Sequence, residues 1–250
     1  MNRRIRTLTV GAVAGLSLLA PVAATAQTGS AGSSGTSADT RTAAVDRCDV
    51  ATVKTHITAA IDRRLTTLGT LTTRTTDARG LTASDRSTLQ SQLAAEKSGL
   101  TSLRSHVAAD TDCASLRTDA KSVVETYRVY LLMAPKVHLV IAADAVTAIG
   151  TSTQRADAEA RLQDGIDKRK GAGKDMTQAQ AQLDDMKAKV AAAQSAVASV
   201  SSSVINLEPS GYPGNRPAIL AARDSVRAGR ADLRAARADA RAVIAALRAA

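Results

Sequence analysis

The 250-residue chain contains no phenylalanine or tryptophan, and it has just three tyrosines and two cysteines. Alanine accounts for 52 residues, and 33 basic against 23 acidic side chains give a net charge of +10. Because α/β enzymes and β-sandwiches bury aromatic and β-branched residues in quantity, this composition excludes a thick core of either kind. Alanine, leucine and arginine in helical periodicity predict an all-α protein with closely packed helices.

The N-terminus has the three parts of a secretory signal peptide. Three arginines lie within the first six residues, residues 8–20 are apolar, and Ala-Thr-Ala at 24–26 is a small-residue cleavage site. The apolar part is too short to span a bilayer. We therefore expect a signal peptide over residues 1–26, cleavage after Ala26, and a secreted or extracytoplasmic, envelope-associated protein without a transmembrane anchor. Loss of the three arginines lowers the charge from +10 to +7.

Residues 27–45 are rich in glycine, serine, threonine and alanine without an apolar period, which predicts a disordered tether. Residues 46–150 contain three segments with apolar residues at steps of three and four, which predict a three-helix bundle. Ser84 and Asp112 are the predicted N-caps of its second and third helices. Pro135 lies inside the third segment and is expected to kink it.

Residues 151–250 are predicted to form a long antiparallel coiled-coil hairpin that continues the elongated bundle. Heptads run through 174–207 and 217–250, and the sequence EPSGYPGNRP between them is a turn. The apolar stretch 129–149 contains a proline and charged residues, so we interpret it as a buried bundle helix rather than a membrane span.

Cys48 and Cys113 are predicted to form a disulfide, because the chain is expected to be exported and they are its only cysteines. In an up–down–up bundle, the starts of the first and third helices lie at the same end, which places the two cysteines together. The alternative of a redox or metal pair has no Cys-x-x-Cys motif and no neighbouring histidine to support it.

No motif for a nucleophile or a metalloprotease is present, so the sequence predicts no catalytic residue, no cofactor and no metal site. The three histidines (His56, His106 and His138) fall one per helix of the bundle, without paired ligands at short spacing. Whether they converge in space is left open. Residues 127–138 hold two tyrosines, a methionine and Pro135, and they are interpreted either as the best-packed part of the core or as a binding groove.

The last helix carries a stripe of seven arginines that share an arc of roughly 80° on a 3.6-residue helix: Arg223, Arg227, Arg230, Arg234, Arg237, Arg241 and Arg248. In the predicted hairpin, the positions facing the stripe hold no acid: Gln180, Lys187, Gln194 and Ser201. The stripe is either a solvated face or a site for an anionic partner. Specific nucleic-acid binding is disfavoured, because no aromatic residues are interleaved with the arginines.

The signal peptide, alanine and arginine bias, tether, cysteine pair and heptads together resemble secreted helical proteins of high-GC Gram-positive bacteria. This resemblance implies no activity. We expect a non-enzymatic envelope or extracellular module that acts through its hairpin, with a protein partner or self-association through the coiled coil. One alternative is that the arginine stripe binds an anionic wall polymer or a membrane surface. A second is an extracytoplasmic enzyme accessory acting near residues 127–138.

Overall fold

The computed structural model describes residues 48–250 and confirms the all-α prediction: within this range there is no β-strand. The predicted signal peptide (1–26) and tether (27–45) lie outside the described residues. The α-helices are α1 Val50–Asp77, α2 Ala83–Ala109, α3 Cys113–Glu125, α4 Ala134–Thr151, α5 Thr153–Gly171, α6 Thr177–Val197, α7 Val200–Val204 and α8 Arg216–Ala249. A π-helical turn, Val129–Met133, precedes α4, and a 3-10 turn, Pro209–Gly211, precedes α8.

Side-chain caps set the starts of the first three helices. The Asp112 carboxylate accepts hydrogen bonds from the backbone N–H groups of Ala114 and Ser115 at the start of α3, as predicted. The prediction for α2 is wrong by two residues, because Thr82 has the extended backbone of an N-cap while Ser84 is already helical. The Thr82 hydroxyl accepts from the Asp85 N–H at 3.1 Å.

The predicted third helix is interrupted before its proline rather than kinked at it. Arg128 has a left-handed backbone with φ of +36°, and the π-helical turn follows at once. Pro135 is then the second residue of α4, directly after the π-helical turn.

Helix α4 lies at the centre of the described structure and contacts α1, α6, α7 and α8. Between residues 113 and 171 an 18-residue window reaches a mean hydropathy of 1.6, apolar enough to cross a membrane, yet 61% of it is buried inside the protein. The α4 side chains of Val137, Val140 and Val146 are at most 3% exposed. This packing fits the interpretation of the stretch as a core helix.

Helices α6 and α8 pack side by side in opposite directions. Lys189 contacts Asp239, while Gly229 lies against Ala193 and Val197, so residue numbers fall along one helix as they rise along the other. The predicted seam of α6 and α7 is buried from Met176 to Val204, although the helix is interrupted at residues 198–199. Supercoiling of this pair stays a prediction.

Helix α5 packs beside the pair, with Ile166 fully buried against both. The described residues 48–250 belong to one compact unit, and the proposed division at residue 150 stays a prediction.

Candidate functional site

All seven arginines of the predicted stripe are exposed on α8, and we call this surface the arginine face. They cover the 26 residues from 223 to 248, or about 38 Å of helix at 1.5 Å per residue. Arg223 and Arg227 both contact Asp224, at 3.8 and 3.2 Å. The other five make no ion pair with any residue in the described range 48–250: Arg230, Arg234, Arg237, Arg241 and Arg248.

The residues predicted to face the stripe lie on α6 and, in the case of Ser201, on α7, and they have other neighbours. Lys187 is 3.8 Å from Asp184 on its own helix. Gln180 exchanges hydrogen bonds with Gln163 of α5, and Ser201 donates to the Asp144 carboxylate of α4. Gln194 lies against Gly150 at the end of α4. The prediction treated the hairpin as two isolated helices, whereas α4 and α5 cover this flank of α6. The arginine face nevertheless remains exposed along its whole length.

The opposite flank of the α6–α8 pair is held by a bridging lysine. Lys189 contacts both Asp185 on its own helix and Asp239 on α8, at 2.6 and 2.8 Å. These contacts raise the pKa of the Lys189 ammonium, with the hydrogen bond to Asp185 as the largest cause. Asp185 and Asp239 are therefore paired on this flank, whereas Asp224 is the acid of α8 that contacts the arginine face.

The predicted disulfide between Cys48 and Cys113 is confirmed, with the two Cα atoms 6.2 Å apart. It joins the residues before α1 to the first turn of α3. At the same end, the Lys54 ammonium donates to the carbonyl of Ala108 at 2.8 Å, which holds the start of α1 against the end of α2. This is the topology from which the pairing was predicted.

Most of the segment 127–138 belongs to the core. Val129, Leu132 and Met133 are at most 3% exposed. The Tyr127 ring packs so closely on α2 that a Cβ atom at Gly99 would lie 2.6 Å from it. Tyr130 is instead 47% exposed and lies under the Arg64 guanidinium.

A lysine from this segment is almost completely buried. Lys136 is 2% exposed, and its ammonium donates to the Gln92 side chain at 3.0 Å and to the Leu207 carbonyl at 2.5 Å. It thereby connects α2, α4 and the residues after α7. Burial lowers the pKa of Lys136 and raises the pKa of the nearby Glu96 carboxyl to about 7, although the Lys136 charge opposes the latter change. One Glu96 oxygen is buried without a hydrogen-bond partner among the described residues.

We expect Glu96 to make stability depend on pH. Its carboxyl has a pKa of about 7 in the folded protein against 4.5 as the ordinary value, so the folded state holds the proton more tightly. Stability should fall as pH rises through this window, by at most about 3 kcal/mol at 1.36 kcal/mol per unit. Glu96→Gln removes the titration, so thermal denaturation at pH 5 and pH 8 should show a smaller decrease for the variant.

The matched control is Glu125→Gln, since Glu125 is 52% exposed and pairs with Lys121. This control should retain the full pH dependence of the parent. An equal decrease in the parent and in Glu96→Gln would contradict the role of the buried carboxyl.

The structure does not gather the three histidines into one site. The Arg74 guanidinium, in the last turn of α1, lies 3.0 Å from the His138 ring. His106 instead lies at the end of α2, with its Nδ1 atom 2.9 Å from Asp119 of α3 and 3.9 Å from Asp110. The hydrogen bond to Asp119 and the charges of both acids raise the pKa of His106.

Sequence analysis missed this cluster, because it sought paired histidines and adjacent carboxylates. The available signal was His106 and Asp110 at a spacing of four, which places both on one face of a helix end. Asp119 lies on the next helix, and its approach to His106 depends on how the turn between α2 and α3 reverses the chain.

An open recess lies beside the start of α4. Thr67, Arg74 and His138 contribute to its walls.

No protein-family model matches the chain, and no curated protein or solved structure does either.

Proposed function

We propose that this chain is an exported, non-enzymatic helical protein of the cell envelope and that its hairpin is an interaction module. The arginine face is its contact surface, and the ligand is a linear anionic polymer such as a phosphate-bearing wall polymer. The observation that carries this proposal is the row of five arginines without an ion pair in the range 48–250. These five arginines cover about 27 Å of the roughly 38 Å face, and such a row of exposed positive charges matches repeated negative charges on an extended polymer.

The packing of the hairpin supports a polar contact surface. The apolar seam of α8 is covered by α6, with Ala222, Val226 and Val243 at most 5% exposed. It is therefore occupied within the chain, which argues against self-association through that seam. An amphipathic helix that inserts into a membrane surface needs a free apolar face, so the same burial favours a polymer over a lipid bilayer.

The Cys48–Cys113 disulfide supports an extracytoplasmic location, because oxidising compartments are where such bridges persist. Together with the predicted signal peptide, it supports binding outside the cytoplasm, where anionic envelope polymers occur.

Changing Arg230, Arg234, Arg237 and Arg241 to glutamine should weaken binding to isolated envelope. At roughly 0.5 kcal/mol for each exposed ion pair, four lost contacts predict about a 30-fold lower affinity. The measurement is co-sedimentation of purified protein with isolated envelope at increasing salt, and parent binding should weaken steeply as counterions compete.

The control variant loses the same charge elsewhere, through glutamine at four exposed positions on α1, the α1–α2 turn, α2 and α3: Arg63, Arg79, Lys97 and Arg117. Equal loss in both variants would show that net charge, not the arginine face, drives binding. Binding to anionic lipid vesicles without binding to wall polymer would contradict the polymer and identify lipid as the ligand. Absence of binding by the parent at low salt would exclude the proposal.

A further inference from the structure

We propose that His106, Asp110 and Asp119 bind a divalent transition-metal ion, with Zn²⁺ the best fit, at the corner between α2 and α3. This site uses none of the residues of the arginine face and is independent of the function proposed above. It also departs from the expectation of no metal site that the sequence supported.

The three side chains have the geometry of a small metal site. One ligand atom from each lies within 4.8 Å of the others. The Nδ1 atom of His106 is 2.9 Å from an Asp119 oxygen and 3.9 Å from an Asp110 oxygen. In tetrahedral coordination with zinc–ligand distances near 2.0 Å, two ligand atoms lie about 3.3 Å apart, between these two values.

An unsatisfied buried oxygen points independently to a ligand. The side chains of Asp110 and Asp119 are 10% and 7% exposed. The Oδ2 atom of Asp110 is buried without a hydrogen-bond partner among residues 48–250, although it lies inside the cluster. Buried polar atoms are rarely left without a partner, because the loss of hydration is expensive. A cation would supply that partner.

The charge of the corner also favours a cation. Two carboxylates lie close together, and a single imidazole accompanies them within the cluster, so even a protonated His106 leaves one negative charge uncompensated. Asp110 is the C-cap of α2, where the helix macrodipole presents its negative end. A divalent ion would neutralise the two carboxylates at this point.

The donor set selects the class of ion. One imidazole nitrogen and two carboxylate oxygens suit zinc and its first-row neighbours, whereas Ca²⁺ and Mg²⁺ prefer oxygen alone. With Nδ1 on the metal, the ring proton moves to Nε2, and the 61% exposed His106 side chain gives it access to water. Because Asp112 and Cys113 lie between the two aspartates, the ion would join α2 to α3 next to the disulfide.

Isothermal titration of the metal-free, disulfide-intact protein with Zn²⁺ tests the proposal. We expect one site with a dissociation constant of micromolar or below, retained in millimolar Mg²⁺. His106→Gln and Asp110→Asn should each weaken Zn²⁺ binding at least tenfold. Saturating Zn²⁺ should raise the melting temperature of the parent by about 5 °C and leave that of His106→Gln unchanged.

The control is His56→Gln, because His56 is an exposed helix histidine outside the cluster. It should bind Zn²⁺ like the parent. Circular dichroism and melting in EDTA establish that each variant is folded before titration. Equal loss in His56→Gln and His106→Gln would overturn the proposal, and so would full binding by His106→Gln. A parent dissociation constant weaker than the micromolar range would overturn it as well.

Discussion

Reduction of the Cys48–Cys113 disulfide is expected to lower the free energy of unfolding by about 4 kcal/mol. The bridge closes a loop of 65 residues, and a cross-link of that span removes much of the conformational freedom of the unfolded chain. At roughly 2–4 °C for each kcal/mol in a chain of this size, the melting temperature should fall by about 8–16 °C. Thermal denaturation followed by circular dichroism, with and without a reducing agent, measures the effect.

A double variant, Cys48→Ser with Cys113→Ser, separates the bridge from side effects of the reductant. It should melt near the temperature of the reduced parent, and the reductant should then have no further effect on it. A melting temperature that is the same in oxidised and reduced parent protein would show that the bridge does not stabilise the fold.

Replacement of Gly229 by leucine is expected to destabilise the hairpin by about 3 kcal/mol or more. A Cβ atom at this position would lie 3.0 Å from the carbonyl oxygen of Ala193 and 3.0 Å from a methyl group of Val197. The larger leucine side chain therefore has no space unless α6 and α8 move apart. Since leucine is a far better helix former than glycine, the destabilisation cannot come from helix propensity.

The control is the same substitution at Gly69, for which we expect a change in the free energy of unfolding of the opposite sign. Gly69 lies in the interior of α1, and nothing is within 4 Å of a Cβ atom built there. Gly69→Leu should stabilise by about 0.5–1 kcal/mol through helix propensity alone. Urea denaturation of the two variants and the parent measures both effects. A neutral or stabilising result at Gly229 would contradict the close approach of α6 and α8.

Much of the fold could be predicted because its periodic signals are local. The apolar positions of α8 recur at steps of three and four, and Ala222, Val226 and Val243 are buried as that spacing indicates. The disulfide followed from the cysteine count and the up–down–up topology. Asp112 caps α3 because a carboxylate before a helical pattern has a local hydrogen-bonding role.

Features that depend on tertiary packing were not predictable in the same way. Sequence periodicity runs through residues 113–149 without signalling the left-handed backbone of Arg128. Lys136 is a charged residue whose burial depends on acceptors from Gln92 and Leu207, more than forty residues away in either direction. Asp119 joins His106 only because the α2–α3 turn reverses the chain. Lys136 and Asp119 therefore both depend on residues of other helices or loops, which the sequence pattern of a single helix does not contain.

The central position of α4 has a consequence for the order in which the chain folds as it is made. Both cysteines precede α4 in sequence, so their bridge can close before α6 and α8 have emerged. Until then, the side of α4 that Ala193, Val197 and Val226 later cover is exposed as an apolar surface. We therefore expect a fragment that ends near residue 170, which contains both cysteines but lacks the helices that cover this side of α4, to aggregate more readily than the full chain.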